Sequence, residues 1–236
     1  MQWQKRDHLI ISADDFGVSK KANEAILEVA QKGKIDRVAV MVGGEISEEE
    51  IKEILKTKVK LDIHLHLLDK EFFQNRKGEP SRKTIQRSII FLTYFLTGKY
   101  SSRKVGFIWK KQIEGFYKMF KRYPDGINSH EHLHFFPPFF KVALKLKKEF
   151  SITYLRLGKK ESGLKFNAVA FILNTLRKIN LKFNRTIKLN ISDYLISFDW
   201  LEEQKNFLEN LPKKEKTEIV FHPERKEERQ FLLENF

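Results

Sequence analysis

Cysteine is absent from all 236 residues. Disulfides, thiolate nucleophiles and Cys-ligated metals are therefore excluded, and any metal must be held by histidines and carboxylates. Long apolar runs are missing as well: the greasiest segments, residues 89–96 and 168–173, fall short of the roughly 18 residues that a membrane span requires. The first eight residues contain no apolar h-region or cleavage site, so no secretory leader is expected and the cytoplasm is the expected compartment. Acidic residues are in deficit, with 31 Asp and Glu against 45 Lys and Arg and a formal net charge of +14. Such a balance draws a protein toward phosphates, nucleic acid or anionic lipid, which concerns encounter and not chemistry. With 41% apolar residues the chain can bury one sizeable core, and its length suits one domain.

What is present alternates between two periods. Residues 9–12 read as a buried strand, and Ser19 opens a helical stretch with Ala22, Ile26, Val29 and Ala30 on one face, closed by Gly33. Residues 37–42 form a second strand, and Ser47-Glu-Glu-Glu50 has the form of a capping box for a helix carrying Ile51, Ile54 and Leu55 inward. Residues 60–67 alternate strictly, Leu61, Ile63, Leu65 and Leu67 pointing one way and Asp62, His64 and His66 the other. Two helical stretches follow, near 81–97 and 104–123, and read as a helical insertion near 78–123. Beyond the Pro124-Asp-Gly126 turn come a strand at 127–134, a helix near 139–150, a strand at 153–157 and a basic amphipathic helix from about 164. A strand near 192–196, a helix near 199–211 and a strand at 218–222 complete the order. Alternating β and α elements predict a single-domain α/β fold, a (β/α) barrel-like, irregular TIM-type arrangement of about seven mainly parallel strands.

The chemistry-bearing residues fall at strand C-termini, the face where (β/α) barrels carry their sites. Asp14 and Asp15 follow the first strand, His64 and His66 lie late in the third, His130, His132 and His134 follow the fourth, and His222 ends the last. Asp and neutral imidazole are the ligands that a cysteine-free site offers Zn²⁺ or a similar ion. An Asp-Asp pair alone can be a helix cap, and His64 and His66 alone can be ordinary buried histidines. Three histidines at period two are harder to dismiss, because an extended strand would crowd all three rings on one face, where only a metal or hydrogen bonds keep them neutral.

Ser12-Ala-Asp-Asp-Phe-Gly17, Ile63-His-Leu-His-Leu67, Asn128-Ser-His-Glu-His-Leu-His134 and Glu218-Ile-Val-Phe-His-Pro223, in that order, resemble the motifs of the YdjC-like carbohydrate deacetylases, the chitooligosaccharide deacetylase group. The resemblance implies a metal-dependent hydrolase that removes acetyl groups from N-acetylated sugars with one divalent ion, Mg²⁺ or Zn²⁺. It implies Asp15, His64 and His130 as metal ligands, Asp14 as catalytic base and His222 as a general acid. His66, His132 and His134 would face substrate or support the ligands, and Arg156 resembles an arginine that the family often carries. Three positions depart from the pattern. Asn128 stands where the family usually has Asp, Asp62-Ile63 stands where a Gly usually precedes the histidine, and Glu224 stands where Gly commonly follows His-Pro. Asn128 weakens an orienting charge behind a ligand.

Two other classes compete. A metal-dependent phosphoesterase would suit the positive charge but calls for a second ion and more carboxylates, for which only Asp62 and Glu131 are near. A basic, non-enzymatic binder of nucleic acid or a membrane surface lacks any RNP-like or helix-turn-helix signature, so no specific nucleic acid is expected. In the basic helix, Leu164, Ala168, Ile172, Leu176 and Ile179 make an apolar stripe ringed by Lys165, Arg177, Lys178, Lys182 and Arg185. The stripe is expected to face the core. Its alternative use is peripheral contact with anionic membrane at the inner face, which would suit a lipid-linked saccharide. A homodimer is left open.

Overall fold

The computed structural model describes residues 7–67, 100–160, 168–200, 211 and 214–236. Strand β1 (Leu9–Phe16) is buried along nearly its whole length and leads into α1 (Lys20–Gln31), where the Ser19 hydroxyl caps the Ala22 N–H. After β2 (Arg37–Val40), α2 (Glu48–Lys56) opens with the full capping box: the Ser47 side chain takes the Glu50 N–H while the Glu50 carboxylate takes the Ser47 N–H. β3 (Lys60–Leu65) is followed, beyond the undescribed residues 68–99, by α3 (Ser102–Phe120), then β4 (Gly126–Ser129) and α4 (Pro137–Glu149), which begins with proline in its first turn. β5 (Tyr154–Leu155), α5 (Ala168–Phe183), β6 (Tyr194–Ser197), β7 (Thr217–Phe221) and α6 (Lys226–Asn235) follow.

The strands form one sheet in the order β5-β4-β3-β2-β1-β7-β6, every neighbouring pair parallel. In a flat sheet β5 and β7 would stand about 24 Å apart, five strand spacings. Yet Tyr154 and Arg156 reach Glu218 of β7 at 2.6 and 2.8 Å, and the Leu155 N–H donates to the Asn190 carbonyl just before β6 at 3.1 Å. The sheet must therefore curl until its two edges nearly meet, which is the barrel-like α/β fold that the alternation of elements predicts.

Inside the curl lies a layer of charge where barrels usually stack aliphatic side chains. Arg37 grips Asp62 at 2.8 and 2.5 Å and lies over the Tyr154 ring at 4.1 Å. Glu218 accepts from Ser12, Tyr154 and Arg156, at 2.7, 2.6 and 2.8 Å. Each of these buried ions has its partners, without which burial would cost several kcal/mol per charge. Gly126 is required beside this layer, because a Cβ there would lie 2.5 Å from the Asp62 carboxylate. The apolar core lies between the sheet and the surrounding helices. Helix α3 joins it as the crossover between β3 and β4, burying Val105, Trp109, Ile113 and Phe116.

Three expectations change. The strand expected at 127–134 stops at Ser129, and residues 130–135 form a short 3₁₀ turn in which Glu131 and His132 both have φ of +53°. Left-handed backbone costs a residue with a Cβ roughly 1–2 kcal/mol, which a period-two pattern cannot reveal. The apolar stripe expected on α5 faces the core only in part: Leu176 packs against it and Ile179 is half-buried, but Ile172 is exposed and Leu173, Arg177 and Asn180 are buried, while Leu164 lies outside the described residues. Helix α6 is an addition, its Lys-Glu-Glu-Arg start hiding an apolar edge that buries Leu232. The helix expected near 81–97, the first part of the insertion and most of the helix near 199–211 lie outside the described residues.

Candidate metal centre and active site

The backbone of β1 explains why two adjacent aspartates serve one site. Alternation would send them to opposite faces of the sheet. The register of β1 against β2 shifts between Ala13 and Phe16, and Asp15 takes φ of +74°. This bulge re-aims one carboxylate so that both flank the His64 ring, Asp14 Oδ2 at 3.9 Å from Nδ1 and Asp15 Oδ1 at 3.4 Å from Nε2. Gly17 completes the turn with φ of +104°, and a Cβ there would lie 2.5 Å from the Met41 carbonyl.

Asp15, His64 and His130 form the centre. One ligand atom from each lies within 4.8 Å of the other two, all three residues are buried, and His130 Nδ1 is 3.2 Å from Asp15 Oδ1. Among the described residues no other cluster of three His or acidic side chains has this geometry. One carboxylate and two imidazoles are a set that can hold a divalent cation and leave coordination positions open. Burial resists the charge on Asp15, but His130 and His64 hold its carboxyl well below the usual range.

Asp14 is clamped from behind. Arg156, fully buried, donates through Nη1 to both Asp14 oxygens at 2.9 and 2.7 Å and through Nε to Glu218. Burial raises the Asp14 carboxyl, yet Arg156 and then His64 outweigh it and hold the group down at about 2. Asp14 is thus ionised at every physiological pH.

Asn128 meets His64 Nδ1 at 2.6 Å. With its NH₂ toward the ring it also donates to the Ile63 carbonyl at 3.2 Å, and its oxygen accepts from Arg156 at 3.3 Å. That orientation makes Nδ1 the acceptor and leaves the proton on Nε2, the nitrogen facing Asp15. Ligation through Nε2 needs the other tautomer, with the Asn128 oxygen toward the ring and its NH₂ facing the Arg156 guanidinium, donor against donor.

The remaining sequence candidates separate by role. His134 is buried and its neutral form is fully bonded: Nε2–H donates to the Arg156 carbonyl at 2.7 Å and Nδ1 accepts from the Ser129 hydroxyl at 2.6 Å. Burial pushes it down to about 3. His132, its ring 5.4 Å from that of Phe135, is pushed down to about 4 by burial and by the charge of Arg156. His66 turns toward β2, with Nε2 on the Val42 carbonyl at 3.0 Å and its main chain held from both sides by Gln112.

His222 shows what the sequence did not. The Glu228 carboxylate of α6 takes the His222 N–H at 2.6 Å and lies 3.7 Å from its Nδ1. Burial opposes a charge on this ring, but Glu228, with Asp15 and Glu224 beyond it, lifts it to about 10. Arg225 ties Glu228 to Asp199, at 2.8 and 3.1 Å. Neither acid belongs to a recognisable motif, and Glu228 rides on a helix that hydrophobic periodicity does not reveal.

Comparisons with known proteins bear on this geometry. A family model described as YdjC-like protein matches residues 8–234. A Danio rerio protein named carbohydrate deacetylase is 24% identical over 200 residues, 77% of this chain and 58% of the relative. A Clostridium beijerinckii protein of the same name is 28% identical over 151 residues, 61% of this chain and 58% of the relative. A chitooligosaccharide deacetylase of Escherichia fergusonii is 25% identical over 147 residues, 60% of this chain and 56% of the relative. The matched part is thus under two-thirds of each relative's length. A crystal structure from Enterococcus faecalis V583, described as a candidate cellobiose-phosphate cleavage protein, superposes with a TM-score of 0.62 at 19% identity, covering 92% of this chain and 81% of that one. It shares the fold.

Proposed function

The chain belongs to the YdjC-like family, and from that premise we propose that it hydrolyses the acetamido group of N-acetylated saccharides. The observation that carries this reading is the buried Asp15, His64 and His130 trio, with Asp14 beside it gripped through both oxygens by Arg156, and with His222 backed by Glu228. Relatives named carbohydrate deacetylase and chitooligosaccharide deacetylase support the substrate class.

Asp15, His64 and His130 would hold one divalent ion, and two imidazoles among three ligands favour Zn²⁺ over Mg²⁺. When bound, such an ion supplies Lewis acidity toward an acyl oxygen and acidifies water. Asp14 orients the attacking water and accepts its proton, work worth typically ~10²–10⁴-fold. Held near 2, Asp14 is a poor resting place for that proton, which passes through solvent to His222 once that ring has given its own proton to the amine, so that both groups return to their starting state. His222 carries a proton at neutral pH and donates it to the departing amine, without which the carbon–nitrogen bond would not break. Arg156 fixes both oxygens of Asp14 so that the base does not swing onto the ion.

A two-metal phosphoesterase is disfavoured by the carboxylates themselves. Asp62 is taken up by Arg37, and Glu131 is exposed. Incubation of Zn²⁺-reconstituted protein with N-acetylglucosamine oligomers and with phosphoesters tests the proposal, Asp14→Asn serving as the blank. Acetate release lost in Asp14→Asn is expected. Asp14-dependent phosphate release with no acetate from any amino sugar would overturn it.

A further inference from the structure

Helix α5 packs on the core through Leu173, with Leu176 and Leu181 partly buried beside it, and still leaves a second apolar arc facing outward. At about 100° per residue, Leu173, Arg177 and Asn180 share one arc, and this arc is the buried one. Arg177 donates to the Lys159 carbonyl at 2.6 Å and Asn180 to the Phe135 carbonyl at 2.7 Å. The opposite arc carries Phe171, Ile172, Lys178, Lys182 and Phe183, all exposed, with Phe171 61%, Ile172 56% and Phe183 74% accessible. Large side chains exposed as a group on one helix face mark a surface that something covers.

The charges around this face select the cover. Residues 162–192 contain six Lys and Arg and no Asp or Glu. Lys178, Lys182, Arg185 and Lys188 are all exposed, as is Ile187 just past the helix. A second copy of the chain fits poorly, because two-fold pairing through this arc would set the Lys182 side of one copy against that of the other, with no acid in residues 162–192 to offset the charge. An anionic surface with an apolar interior satisfies both halves of the pattern.

We propose that the outward face of α5 docks on an anionic lipid bilayer, Ile172 and Phe183 entering the headgroup boundary while Lys182 and the exposed Arg185 just past the helix contact lipid phosphates. The buried arc makes the placement matter, since Asn180 holds the carbonyl of Phe135, the last residue of the turn that carries His130 and His134. Docking would bring that turn close to the membrane surface. The claim stands apart from the deacetylase reading, because its readout involves no turnover.

Flotation of the full chain with vesicles of phosphatidylcholine alone, and with vesicles that also contain phosphatidylglycerol, is the test. Binding is expected only to the anionic vesicles and declines with added salt. Lys182→Gln with Arg185→Gln weakens it by roughly thirtyfold, from the contribution expected of each basic side chain near an anionic surface. Ile172→Ser with Phe183→Ser weakens it by at least roughly tenfold. Both double variants keep the wild-type thermal midpoint, because the altered side chains are exposed. Absence of binding to anionic vesicles would overturn the proposal, as would binding that survives both double variants. A dimer in light scattering that dissociates on Phe183→Ser would overturn it in favour of a second copy.

Discussion

Individual residues decide whether the centre can take a metal, and Asn128 is the most exposed to test. One amide orientation satisfies His64, the Ile63 carbonyl and Arg156 together but fixes the His64 tautomer that cannot ligate through Nε2, and the other frees that tautomer but sets NH₂ against Arg156. An aspartate in the same place would accept from both. Asn128→Asp is therefore expected to tighten divalent-metal binding by about tenfold, the scale on which groups behind a ligand act. Competition against a chromogenic chelator measures this, and unchanged affinity would mean that Asn128 does not set the His64 tautomer. The ligand types themselves were legible in the sequence, because without cysteine only His and carboxylates remain. What was not legible is the left-handed backbone at Asp15, Glu131 and His132, since nothing in a residue's own chemistry announces a strain that its surroundings impose.

Among the elements, legibility followed exposure of the pattern. The strict alternation of β3 and the Ser47 capping box are local signals, and both appear where the sequence puts them. Helix α6 shows no clear apolar period because half of its residues are charged, and α5 departs from expectation because Ile172 in its apolar stripe faces outward while Arg177 is buried. The cost of missing α6 is functional, since it delivers Glu228 to His222. Glu228→Gln retains an oxygen for the His222 N–H but removes the charge that lifts the ring. The His222 pKa then falls, and the alkaline limb of the rate profile moves to lower pH, because the ring loses its donatable proton sooner. A wild-type profile in Glu228→Gln would remove His222 from the role of acid.

For the molecule as a whole, the same groups set stability against pH. His134 is held neutral, its folded value about 3 against an ordinary 6.5, so its contribution is present above 6.5 and is lost as pH falls toward 3. His132 adds in the same direction down to about 4. Each such group removes up to roughly 1.4 kcal/mol per pH unit within its window. His222 acts oppositely: its stabilisation is complete below 6.5 and is lost as pH rises through about 10. Denaturation midpoints of metal-stripped protein should therefore peak near neutrality and fall on both sides, and a flat acid limb between pH 6.5 and 4 would contradict neutral forms of the buried His134 and the half-buried His132.

The central claim is that one curled sheet gathers Asp15, His64 and His130 into a single metal centre. Metal content per chain, measured on reconstituted and desalted wild-type protein and on Asp15→Ala, His64→Ala and His130→Ala, tests it most directly. One ion per chain is predicted for the wild type, and well under one for each variant with its fold retained. Undiminished metal content in all three variants would contradict the account.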